Sequence, residues 1–269
     1  MQIVPVIDLA QGAAVLARGG DRSRYAPVRS VLTPGRTGDP LALVQAYRDI
    51  LGAGECYLAD LDAIQGGAPQ HRRLREIADS AAPARLLVDA GVGDPEFARE
   101  TVAAGAARVV VGLETLPAFD RLGSVVATIG PERVVFSLDL RHGSPLAHPA
   151  NAEAHRAGAD PIALAARAVA AGVATLLLLD LARVGTGGGV DLGLLAVLRR
   201  RFPSARLLAG GGIGGRRDLD RLRDAGCDGA LVATAFHTGR IGPDDLAALA
   251  APVPAQSSAS TSRQVADCP

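Results

Sequence analysis

Lysine is absent from this 269-residue sequence, and all 28 basic residues are arginine. Genome base composition is the ordinary cause of such a bias, but the chemical consequence holds whatever the cause. Without a side-chain primary amine there is no Schiff-base nucleophile and no lysine general base. That excludes lysine-dependent aldolases and the triose-phosphate type of isomerase. Tryptophan is also absent and aromatics are only 3%, so stacking on bases or sugars is poorly supported. The three cysteines, Cys56, Cys227 and Cys268, show neither metal-type nor paired spacing and fit a reducing, cytoplasmic setting. The formal net charge is zero, which gives no ground for general nucleic-acid or anionic-membrane binding. No apolar run approaches the roughly 20 residues of a membrane span. The opening "MQIVPVIDLA" lacks a basic leader region and reads as a strand.

What is present is a regular alternation. Apolar runs rich in Val, Leu and Ile predict strands at Ile3–Ile7, Cys56–Leu61, Arg85–Val88, Arg108–Val111, Val134–Leu138, Thr175–Leu179, Ala205–Leu208 and Gly229–Val232. Helix-length amphipathic segments follow at Leu41–Leu51, Gln70–Ser80, Pro95–Ala104, Thr115–Ile129, Pro161–Ala171, Leu192–Arg201, Arg216–Ala225 and Pro243–Ala250. Continuously apolar strands imply burial on both faces, hence a parallel sheet covered by helices. Eight such units in a chain of this length predict a closed (β/α)8 TIM barrel over residues 1–250. No G-x-G-x-x-G follows the first strand, as an open dinucleotide-binding sheet would require. The Pro/Ser/Ala-rich tail, 251–269, is expected to be disordered.

The barrel reads as two similar halves. "PVIDL" answers "FSLDL", "DAGVG" answers "GGGIG", and "VVVGLETL" answers "ALVATAF", each pair four units apart. Asp8 and Asp139 therefore face each other across the C-terminal mouth, where barrel enzymes keep their catalysts. Two opposed carboxylates suit general acid–base chemistry, one accepting and one donating a proton. A strand-end Asp can equally cap the following helix, and only the repeat symmetry singles out this pair. Asp60, Asp62, Asp89 and Asp180 share the rim. A magnesium site is the rival use of so many carboxylates, but no cluster beyond "DLD" supports one, and neither metal nor cofactor is expected. His237 is expected at the rim or surface.

Taken in order, "VPVIDLAQGAAV", "LADLDAIQGGAPQ", "VFSLDLRHG", "LLLDLARVGTGGG", "LAGGGIGG" and "VATAFHTGRI" resemble the histidine-biosynthesis barrel family over roughly residues 1–245. That family comprises the phosphoribosylformimino-aminoimidazole-carboxamide ribotide isomerase and the cyclase subunit of imidazole glycerol phosphate synthase. The resemblance implies an Amadori-type conversion of a phosphorylated aminoaldose to an aminoketose. It assigns proton transfer at the sugar carbon to Asp8 and assistance of ring opening to Asp139. It places a phosphate at Gly211, Gly212, Ala233 and Thr234, where N–H groups at two helix starts can hold the anion without lysine.

Several positions depart from the family pattern. The first-half G-G-G-I-R reads Asp89, Ala90, Gly91, Val92, Gly93, and G-T-A reads Gly112, Leu113, Glu114. A carboxylate ~5 Å from a phosphate charge costs about 3 kcal/mol at an effective dielectric near 20, against about 1–2 kcal/mol returned by a helix N-terminus. R-D-G-T reads Arg183, Val184, Gly185, Thr186, with Leu179 in place of a threonine. The loop after the first strand is long and carries arginines from Arg18 to Arg36. It is either a solvated basic loop or a lid clamping an anion. These departures favour a divergent isomerase with one retained phosphate site, and with Arg18, Asp89, Glu114 and Asp180 near the substrate. The other end of that substrate would be neutral or cationic. Two alternatives stay open: the histidine-pathway isomerase itself, and a non-catalytic phosphosugar-binding barrel. The glutaminase partner of the cyclase is not expected.

Overall fold

The parallel strands close on themselves. In the computed structural model, which describes residues 1–19, 21, 25–156 and 160–250, the barrel strands are β1 (Gln2–Ala10), β2 (Glu55–Asp60), β3 (Arg85–Asp89), β4 (Arg108–Gly112), β5 (Val134–Arg141), β6 (Thr175–Asp180), β7 (Arg206–Gly210) and β8 (Gly229–Val232). Each pairs with the next in sequence, and β8 returns to β1 in register Gln2↔Gly229 through Pro5↔Val232. The helices are α1 (Pro40–Asp49), α2 (His71–Ala81), α3 (Pro95–Ala103), α4 (Phe119–Ile129), α5 (Pro161–Ala170), α6 (Leu192–Arg201), α7 (Arg216–Asp224) and α8 (Pro243–Ala250). This is the expected (β/α)8 barrel. The expectation of a disordered tail at 251–269 lies outside the described residues, as do Arg22 and Arg24 of the first loop.

Period-two alternation along the strands builds two cores. One residue per strand fills the barrel interior: Val4, Tyr57, Leu87, Val110, Val135, Leu177, Leu208 and Leu231. Their neighbours, such as Leu58, Val88, Val109 and Phe136, pack outward beneath the helices. Each fully buried aliphatic side chain contributes about 1.5–3 kcal/mol. Helix starts are set by Asp39, Asp94, Asp160 and Asp191, whose carboxylates accept backbone N–H groups at α1, α3, α5 and α6.

Several features differ from the sequence reading. The loop after β1 begins as a β-excursion: Ala13–Leu16 pairs antiparallel with β1, and Ala26–Pro27 with Ala13–Leu16. The helix expected from Thr115 starts at Phe119, because Thr115 and Leu116 both donate their N–H to Gly112 O in a tight turn. His237 is not at the surface. It is buried in the short helix Thr234–His237, with Nε2 3.5 Å from Tyr47 Oη. Burial alone lowers its pKa to about 4, so it stays neutral near pH 7.

A polar plug closes the N-terminal end, assembled from the first residues of strands. Glu55 and Arg108, both buried, pair at 3.3 Å, and Arg108 Nη2 donates to Thr175 Oγ1 at 2.8 Å. Gln2 and Arg206 complete the ring around Glu55. Removing one partner of a buried pair leaves the other charge uncompensated, at a cost of about 3–5 kcal/mol. Arg108→Leu is expected to lower the urea unfolding free energy by about 3 kcal/mol, and Glu55→Leu in the same chain to restore part of it.

Candidate active site

The two halves of the barrel repeat down to single residues at the mouth. Asp8 lies opposite Ala59 and Leu9 opposite Asp60; in the second half Asp139 lies opposite Leu179 and Leu140 opposite Asp180. Beyond each catalytic candidate the chain reverses through a positive-φ pair, Gln11–Gly12 after β1 (φ 50° and 78°) and His142–Gly143 after β5 (54° and 78°). Left-handed conformations at both central residues are what a primed hairpin turn requires, and "QG" and "HG" each supply glycine at the second. Strands β1 and β5 stand four positions apart in a ring of eight, so Asp8 and Asp139 occupy opposite walls.

Asp139 is the most constrained carboxyl in the site. It is buried, its Oδ1 accepts from Ser137 Oγ at 2.5 Å, and its Oδ2 accepts from Glu114 N at 3.1 Å. Ser137 precedes it by two on the same face of β5, so strand geometry aims the hydroxyl at the carboxyl. On the other side lies Gly112, where a Cβ would sit 2.8 Å from Asp139 Oδ2. Only glycine leaves this room at the end of β4. Burial, with the charges of Asp89 and Glu114, raises the Asp139 pKa to about 8, although Ser137 and the Glu114 N–H act in the opposite direction. Asp139 is therefore a carboxylic acid near neutral pH and a competent proton donor.

Asp89 ends β3 and lines the same cavity. Tyr57 Oη donates to its Oδ2 at 3.1 Å and Gly91 N to its Oδ1 at 3.1 Å. Burial raises the Tyr57 pKa well above the phenol range, assisted by the nearby Asp89, Asp139 and Asp8. Tyr57 thus remains a hydrogen-bond donor, and it is a site residue that sequence reasoning overlooked. Its position was readable: it stands two residues before Ala59 on β2, hence on the inward face.

The rim aspartates divide by role. Asp180, expected near the substrate, is not among the residues that line the cavity. Its oxygens accept from His142 N and Ala182 N, and from Gly143 N and Arg183 Nε, at 3.0–3.2 Å. It braces the β5 hairpin and the turn after β6, and its first-half counterpart is Asp60, which accepts from Ala63 N, Gln70 N and Gln70 Nε2. The strand-end Asp as local cap, left open in the sequence reading beside a substrate role for Asp180, describes both residues. Asp62 lies in the short helix Leu61–Ile64 rather than in the strand, and accepts from Gln11 N.

Gly211, Gly212, Ala233 and Thr234 come together on the opposite side of the cavity. Gly211 and Gly212 have φ of 89° and 85°, and a Cβ on Gly212 would stand 2.8 Å from Gly189 N. The helices that follow, α7 with Gly215 at its N-cap and Thr234–His237 with Ala233, carry no side-chain cap. Ahead of α7, Gly214 N donates to Asp218 Oδ2 at 2.8 Å, and in the short helix Phe236 N and His237 N donate to Ala233 O. The first-half twin of Gly215 is Asp94, which caps α3 through Glu96 N and Phe97 N.

These residues surround a cavity of about 400 Å³ at the C-terminal mouth. Arg18, Asp89, Glu114, Arg141 and Arg240 line it, and so do Leu179 and Val184 at the two positions where the family pattern is polar. Over it the first loop meets the glycine-rich loop after β6: Gly19 N donates to Val184 O at 2.8 Å, and a Cβ on Gly185 would stand 2.5 Å from Ala17 O. Among the described residues no three His, Cys, Asp or Glu side chains are grouped to hold a metal ion. Nor is any helix of the described residues long and apolar enough to cross a membrane.

Comparison with known proteins places this geometry in context. A family model described as "Histidine biosynthesis protein" matches residues 2–242. The phosphoribosyl-(phosphoribosylamino)methylideneamino-imidazole-4-carboxamide isomerase of Thermus thermophilus is 33% identical over 242 residues, covering 90% of this chain and 96% of the relative. The isomerase of the same name from Deinococcus radiodurans is 32% identical, with 89% and 95% covered. An uncharacterised protein of Methanocaldococcus jannaschii is 31% identical, with 89% and 94% covered.

The raised Asp139 pKa has a consequence for stability. The folded protein holds a proton that the unfolded chain releases near pH 4, so stability falls as pH rises from about 4 to about 8. Asn at this position can accept from Glu114 N and donate to Ser137 Oγ without ever ionising. Asp139→Asn is expected to be more stable than the parent at pH 8, on the order of 2 kcal/mol, with the gain vanishing below pH 4. Urea melts across this range measure it.

Proposed function

The chain belongs to the histidine-biosynthesis protein family, and from that premise we propose that it is an aldose–ketose isomerase acting on a phosphorylated aminosugar by Asp8/Asp139 acid–base chemistry. The observation that carries the reading is the unequal pair of carboxyls on opposite walls of one cavity. Asp139, buried and held as the acid, donates its proton to the ring oxygen as the C1–O bond breaks, leaving an open-chain iminium. Asp8, partly exposed on β1, removes the proton from C2 to give an enaminol, which tautomerises to the aminoketose. Acid and base on opposite faces can each act without moving the substrate.

The phosphate belongs to the second half. Gly211, Gly212, Ala233 and Thr234 front two helix starts whose N-cap residues, Gly215 and Ala233, supply no side-chain acceptor, and a dianion there gains from the oriented N–H groups of both. Arg18 and Arg240 line the same cavity and add positive potential. Similarity to the isomerases supports a phosphorylated substrate: the name of those relatives carries two phosphoribosyl groups.

The reading separates cleanly from a barrel that only binds. Asp8→Asn and Asp139→Asn are each expected to lower kcat by a factor of about 10³ or more, within the range for loss of a general acid or base, while ligand affinity changes less than threefold. Unchanged biological activity in both variants would remove the catalytic assignment and leave a binding protein.

A further inference from the structure

We propose that the substrate carries a single phosphate, because the first half of the barrel has turned its anion cradle into a support for Asp139. The inference rests on the acid–base reading above and concerns the end of the substrate away from Gly211 and Gly212.

The hydrogen bonds of the two first-half turns carry it. After β4, two N–H groups are taken up by β5: Leu113 N donates to Ser137 O at 2.9 Å and Glu114 N to Asp139 Oδ2 at 3.1 Å. Thr115 N and Leu116 N donate to Gly112 O just as Phe236 N and His237 N donate to Ala233 O, so the bonds to β5 are what set the first half apart. After β3, Gly91 N donates to Asp89 Oδ1, and Asp94 Oδ1 takes Glu96 N and Phe97 N at 2.9 and 3.0 Å. A phosphate seated here would have to displace the Asp94 carboxylate from the start of α3, or draw the Glu114 N–H off Asp139. The second displacement would unseat the catalytic acid. In the second half the position of Asp94 is Gly215 and the position of Asp89 is Gly210, and the one carboxylate on that turn is Asp218 of α7, which accepts from Gly214 N at 2.8 Å. The repeat thus differs in its strand-end and N-cap positions, carboxylates in the first half and glycines in the second. The far end of the substrate meets Asp89, Tyr57 and Glu114, which suits a group bearing hydroxyl or amino donors.

Ribulose 5-phosphate and ribulose 1,5-bisphosphate, titrated calorimetrically into the full chain, test this. The bisphosphate is expected to bind no more tightly than the monophosphate. A bisphosphate preference of threefold or more would overturn the proposal. In Asp89→Gly/Asp94→Gly the bisphosphate is expected to gain at least tenfold over the monophosphate. Asp89→Asn, whose Oδ1 can accept from Gly91 N while its Nδ2 donates to Tyr57 Oη, is expected to show a smaller gain in the same direction. Equal affinities persisting in both variants would overturn the role given to these carboxylates. Thr234→Asp is expected to weaken both ligands tenfold or more. If it leaves both unchanged, the second-half phosphate site of the proposed function fails, while the first-half comparison stands. No binding of either ligand to the parent would overturn both.

Discussion

Everything distinctive about this barrel follows from one buried carboxyl. Asp139 sits at the end of β5 with Ser137 Oγ on one oxygen and Glu114 N on the other, behind the bare face of Gly112. The contacts orient it, and burial keeps its proton. Side-chain and main-chain donors alone would lower the pKa; desolvation is the larger effect and wins. A proton donor at neutral pH is the outcome, obtained without lysine, histidine or metal ligation in its contacts.

The same constraint explains why the twin halves diverged in function while matching in backbone. Each half offers a strand-end glycine turn, a helix start and a strand-end Asp, with the hairpins after β1 and β5 alike in φ. A support for the acid and a cradle for an anion both draw on the N–H groups of these turns, and one N–H cannot fully serve both. The first half spends the Glu114 N–H on Asp139; the second leaves α7 and Thr234–His237 without side-chain caps. Among the described lining residues, the first half supplies Asp8, Arg18, Asp89 and Glu114, and the second Asp139, Arg141 and Arg240, so net charge is negative in the first half and positive in the second.

The fold, and the gathering of Asp8, Asp89 and Asp139 around one cavity, were legible in the sequence because they rest on local pattern. Buried parallel strands must be apolar along their length, and the eight runs, their helix-length spacers and the twin "IDL" and "LDL" motifs state this directly. What escaped was non-local. The role of Asp180 depends on where the His142–Gly143 backbone passes, in a hairpin some forty residues earlier. Tyr57 gains its place from Asp89 across a strand pair, and His237 is buried because Tyr47 of α1 lies beneath it. Strand-end Asp residues look alike in sequence. Only the neighbouring chain decides whether one faces the ligand or its own loop.

Asp89 shows how that distinction bears on specificity. In sequence it reads as a charge placed against a phosphate, an energetic penalty on an otherwise intact cradle. In the structure it is a buried carboxylate oriented by Tyr57 and Gly91, while the neighbouring helix start is already occupied by Asp94. Repulsion of about 3 kcal/mol could be offset by an arginine or relieved by salt. The Glu114 N–H is not released so readily, because withdrawing it leaves buried Asp139 with an unsatisfied oxygen at a cost of about 1–3 kcal/mol. Exclusion of a second phosphate by occupied donors is therefore the firmer of the two mechanisms, with the charge of Asp89 adding to it. On this view, restoring glycine at Asp89 removes the charge but only half of the barrier, and the Asp94 cap has to be opened as well.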